Sequence, residues 1–145
     1  MTQQNFHKNY HPDVYNPKLS IAFAYYHAAL ELEKSRNRNF KLWIPAYYLI
    51  GHALELALKA CWEYEKSGDW SIQTHKLNDI YALLTYPKLL SEQVDILLEL
   101  DLLNNGPGGL RYDNDPKAEF YPATFRKSQD LFISIAGSVQ DRYID

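Results

Sequence analysis

The chain has 145 residues, 46% of them hydrophobic and 23% charged, with a net charge of -3 and a pI of about 5.9. That length and balance suit one globular domain with one sizeable core, and any nucleic-acid or membrane site must be a local patch. The single cysteine, Cys61, excludes a disulfide framework and suits a reducing cytosol.

Residues 1–16 are polar and aromatic, contain Pro12 and lack periodicity. They read as an N-terminal arm, with residues 17–145 as a single helical domain. The stretch has no apolar signal core, so no secretion signal is expected. His7 and His11 have metal-chelating spacing only on a helix, which Pro12 disfavours at His11.

The first helix opens at Asn16, a good N-cap, followed by Pro17 at a position that favours proline. Leu19, Ala22, Phe23, Tyr26, Ala29 and Leu30 recur at three- and four-residue spacing as its apolar stripe. Lys34, Arg36, Arg38 and Lys41 crowd its end. Cations there complement the helix dipole, although the same cluster could meet RNA.

A second helix is expected from Trp43 to Lys66. No formal charge occurs from Leu42 to Ala53 with His52 neutral, and Pro45 is tolerated only near the first turn. A helix apolar nearly all round belongs in the middle of a protein. At about 100° per residue, Tyr48, His52, Glu55, Lys59 and Lys66 share an arc of about 60°. This polar stripe must be solvated, paired or used. Ordinary pairing of Glu55 with Lys59 is the plain expectation. The functional one is a polar cleft lining. A metal half-site from His52 and Glu55 lacks a second histidine–carboxylate pair, because Asp95, Glu99 and Asp101 supply acid alone. No metal or cofactor is implied. The apolar run at 42–54 is too short to span a bilayer, so no membrane role is expected.

A third helix is expected from about His75 to Leu84, with Thr74 as cap and Leu77, Ile80, Tyr81 and Leu84 buried. His75 suits either an exposed cap neighbour or a site residue. A fourth helix starts at Ser91, with Val94, Leu97, Leu98, Leu100, Leu102 and Leu103 as its apolar set; counted from Ser91, there is no capping box. The run Gly106-Pro107-Gly108-Gly109 breaks it. Arg111 and Tyr112 follow, a planar guanidinium and a stacking ring suited to a phosphate-bearing ligand. The loop is neither a Walker loop nor a dinucleotide fingerprint. A last helix is expected from Pro122 to about Tyr143, with Phe125, Phe132, Ile135, Ala136 and Val139 inward. No strand pattern, repeat or elbow serine occurs. The expected fold is an all-α bundle of about five helices, up-and-down, with a long loop before the last.

The order YYLIGHALELALKAC, HKLNDIYALL, LLELDLLN and then LRY resembles the HEPN domain. The resemblance covers most of the chain, from the second helix to Tyr112. It implies a compact α-helical bundle, often dimeric, named for proposed nucleotide binding. Many HEPN members resemble ribonuclease toxins or effectors of prokaryotic defence and toxin-antitoxin systems; others are non-catalytic partners. Nuclease members carry an Arg followed four to six residues later by a His. Here Asp115, Pro116 and Lys117 stand at those offsets from Arg111, and no histidine follows His75. Arginine can bind a phosphate but cannot shuttle protons at neutral pH. The expectation is therefore a non-nuclease, cytoplasmic, homodimeric module, with no catalytic residues, that binds a nucleotide, RNA or a protein partner. Its binding residues would be Tyr48, His52, Glu55, Lys59, His75, Arg111 and Tyr112. The alternatives are a metal-independent ribonuclease using Arg111 with His52 or His75, and a purely structural dimerisation partner. Arg111 is further expected to fold back onto Glu55, the internal carboxylate in reach.

Overall fold

The structure is a computed structural model that describes residues 16–35, 42–66, 72–105 and 122–144. Among these the chain forms five helices and no strand: α1 (Pro17–Ser35), α2 (Trp43–Lys66), α3 (Leu77–Leu83), α4 (Ser91–Asn105) and α5 (Pro122–Ile144). The all-α bundle expected from periodicity is what the chain adopts. No described helix is long and apolar enough to cross a membrane.

Helix α2 packs against each of the other four helices. Ile50, Ala53, Leu54, Ala57, Leu58, Ala60 and Cys61 are fully buried along it. The small alanines let α1 and α5 approach closely, and larger side chains fill the remaining space. Tyr26 of α1 stacks on Phe132 of α5 at 4.4 Å between centroids, and Phe23 meets the same ring edge-on at 5.2 Å. Tyr47 of α2 meets Phe125 of α5 edge-on at 5.4 Å. Such offset and edge contacts suit the quadrupoles of aromatic rings.

The helix starts follow the orphan amides of each first turn. Asn16 caps α1 as its residue type predicts: its Oδ1 accepts the Leu19 amide at 3.1 Å. Its Nδ2 reaches Glu63 of α2, which also pairs with Lys18, so the start of α1 is tied to α2.

Three expectations need correction. Helix α3 is shorter than the sequence suggests and begins at Leu77, with Lys76 in the cap position and no side-chain cap of its own. The Thr74 hydroxyl accepts the Lys76 amide at 3.1 Å instead of capping the helix. The real cap comes from α4: Asp101 accepts the Leu77 and Asn78 amides at 2.6 and 2.9 Å.

Helix α4 places Ser91 one residue inside, so the residue three after the cap position is Gln93 rather than Val94. The Gln93 side chain turns back to accept the Leu90 amide at 2.9 Å, which is half of a capping box. Finally, Leu98 and Leu102 are 52% and 63% exposed, whereas Ile96, Leu97 and Leu100 are buried. Leucines lie on most sides of α4, and α2, α3 and α5 cover only part of it.

Replacing Leu58 with Ala should cost about 2–5 kcal/mol in urea unfolding, because the site is sealed and cannot collapse fully. Asp101→Ala should cost about 1–2 kcal/mol by the same measurement, the range for losing a helix cap.

Candidate functional site

The polar stripe of α2 converges on one buried carboxylate. Glu55 is 3% exposed in a helix otherwise lined with Ala, Leu and Ile. A carboxylate there is tolerated only with donors around it. Lys59, one turn along α2, donates to Glu55 Oε2 at 3.1 Å. His75 lies 3.0 Å from the same oxygen through its Nδ1. An ionised carboxylate only accepts, so the His75 Nδ1 carries the proton. His52 Nδ1 approaches Glu55 Oε1 at 3.9 Å, beyond hydrogen-bond reach, and interacts through charge when protonated.

Burial by itself would raise the Glu55 carboxyl. The neighbouring His52, His75 and Lys59 outweigh it and hold the group at about 2.

His75 reaches this carboxylate from an extended segment, residues 72–76, that leads into α3. Asp101 holds the first turn of α3, so a carboxylate on α4 sets where the histidine stands. The side chain of His75 remains 53% exposed. His52 is supported differently: the ring of Tyr25 on α1 meets it edge-on at 4.6 Å, and its buried Nδ1 has no hydrogen-bond partner. At the end of the stripe the Lys66 ammonium sits 4.6 Å over the Trp62 ring, a cation–π contact.

One turn before Glu55, beside the stripe, stands Gly51. A side chain on this residue would have its Cβ only 2.0 Å from the Asn104 amide nitrogen of α4. Asn104, 5% exposed, donates to the Tyr47 carbonyl at 3.4 Å, and its Oδ1 has no hydrogen-bond partner. The glycine is thus the notch into which the end of α4 fits.

The structure therefore brings together His52, Glu55, Lys59 and His75, with Tyr48 half-buried on the same stripe. Arg111 and Tyr112, and with them the expected Arg111–Glu55 pair, lie outside the described residues. Sequence reasoning missed the positioning roles of Tyr25, Asp101 and Asn104. A signal in the sequence pointed to one of them, Asn104. A glycine costs about 1 kcal/mol inside a helix, so Gly51 marks a close approach. No signal marked Asp101, because Thr74 read as the cap of α3, and none marked Tyr25. Among the described residues, no group of three or more His, Cys, Asp or Glu is placed to hold a metal ion.

Compared with protein-family models, curated proteins and solved structures, the chain matches none.

The depressed Glu55 group sets a pH dependence. Its folded-state value lies below the ordinary 4.5, so its stabilisation is complete above about 4.5 and is lost as the pH falls through about 2. The difference corresponds to about 3 kcal/mol. Urea unfolding of the parent and of Glu55→Gln should show the parent's advantage at pH 6 shrinking steadily between pH 4.5 and 2. A difference unchanged across that range would mean that Glu55 titrates normally in the folded protein.

Proposed function

We propose that the chain is a non-catalytic HEPN-like module that binds a nucleotide or other phosphate-bearing ligand where His75 meets the face of α2 that carries His52 and Lys59. The observation that supports this most directly is the clustering of these three nitrogen-bearing side chains around one buried carboxylate. Glu55 orients Lys59 and His75 through one hydrogen bond each. The half-exposed His75 ring, with Nδ1 committed to Glu55, leaves its Nε2 to donate to a ligand when the imidazole is protonated. Such pre-set donors bind an anion at little cost in side-chain ordering. Arg111 and Tyr112 supply a guanidinium and a stacking ring in this reading, as the sequence resemblance implies. The module acts as a cytoplasmic homodimer in a prokaryotic defence or toxin-antitoxin type of system.

Two measurements test the proposal. Adenosine triphosphate without metal, and inorganic phosphate separately, are titrated against the full chain while thermal unfolding is followed. Ligand at a hundredfold excess over Kd should stabilise the parent by about 2.7 kcal/mol. His52→Ala and His75→Ala should each weaken binding by about tenfold. No stabilisation by either probe would overturn the reading.

Incubation with structured and unstructured RNA should give no cleavage, because no histidine follows Arg111 at the nuclease spacing. Cleavage by the parent that disappears in Arg111→Ala would instead establish a ribonuclease.

A further inference from the structure

We infer that the outward face of α4 is a docking surface for a basic amphipathic helix of a partner protein. This lies on a different face from the ligand site proposed above and does not depend on it. Leu98 and Leu102 are one turn apart and more than half exposed, on the side of α4 turned away from the buried Leu97 and Leu100. Two leucines at this spacing form a ridge suited to the apolar anchors of another helix.

The charge beside the ridge selects the partner. Asp95 and Glu99 lie within about 60° of Leu102 around the helix axis. They also line a groove of about 300 Å³ between α4 and α5, together with Glu92 and Asp130. Lys127 is the one cation in that lining. Four carboxylates against one ammonium make the groove negative. A helix whose apolar stripe rests on Leu98 and Leu102 would bring its flanking lysines or arginines to this groove.

The same charges argue against other occupants. A second copy meeting this face antiparallel across a twofold axis would set the two acidic rims against each other. Nucleic acid and anionic membrane surfaces are repelled for the same reason.

The test uses the full chain and a labelled helix-forming peptide of about 18 residues, with leucines along one face and lysines flanking them. A scrambled peptide of the same composition is the control. Fluorescence anisotropy should show the amphipathic peptide binding at least about tenfold tighter than the scrambled one. The double variant Leu98→Ser/Leu102→Ser should weaken binding by about tenfold or more. Asp95→Lys/Glu99→Lys should weaken it similarly and flatten its dependence on salt. All four positions are exposed, and circular dichroism checks that the helices persist; the charge variant carries the test should the leucine variant lose its fold.

Equal binding of the two peptides, no binding, or affinity untouched by either variant would overturn the inference. So would sedimentation showing a dimer of the parent that Leu98→Ser/Leu102→Ser dissociates, since the occupant would then be a second copy. Strong hydrogen-exchange protection of α4's outward face in the free chain, lost on deleting 106–121, would also overturn it by assigning the face to that segment.

Discussion

A charged carboxylate inside the central helix is the constraint on which the neighbouring structure depends. Glu55 is buried among alanines and leucines, where an isolated ion would be far more costly than any single contact could offset. The fold meets that cost with one donor from the same helix, Lys59, and one from a distant segment, His75. The local donor follows from helical spacing alone. The distant one requires the segment before α3 to bring His75 against α2.

The α3 start carries the constraint on to α4. Its first-turn amides have no capping side chain of their own, and Asp101 supplies both acceptors. One turn further along α4, Asn104 fits the notch left by Gly51 and donates to the Tyr47 carbonyl. Polar contacts therefore join α2, α3 and α4 along a single seam. The α2–α3–α4 side has a further tie where Glu65 accepts the Thr85 and Tyr86 amides at 2.8 to 3.1 Å. The opposite side of α2, against α1 and α5, is held mainly by aromatic and aliphatic packing, with one polar tie where Glu63 meets Asn16 and Lys18. The two sides differ in kind: the seam specifies register through directional bonds, while the packed side supplies burial.

Helix α4 shows how little a leucine reveals about its own exposure. Its interior side buries Leu97 and Leu100 almost completely, and its outward side presents Leu98 and Leu102 beside an acidic groove. Hydrophobic residues distributed around a helix leave its orientation to whichever neighbours cover it. For α1 and α5 the expected stripes are the buried ones, with Leu30 only half-buried at the edge, although Ile21 on the other side of α1 is 49% exposed.

By itself the sequence determined the all-α class, the central place of α2, the cap of α1 and the inner faces of α1 and α5. Each of these rests on local periodicity, residue propensity or a short-range hydrogen bond, all readable within a few turns of chain. It also placed His52, Glu55 and Lys59 on one stripe, since helical geometry aligns them whatever surrounds the helix. Only the tertiary structure decided that His75 completes the cluster, that Asp101 caps α3 and that Asn104 seats on Gly51. These contacts join residues 20 to 57 positions apart. No local pattern encodes which distant donor will satisfy a given acceptor; that depends on how the helices pack, and packing is a property of the whole chain.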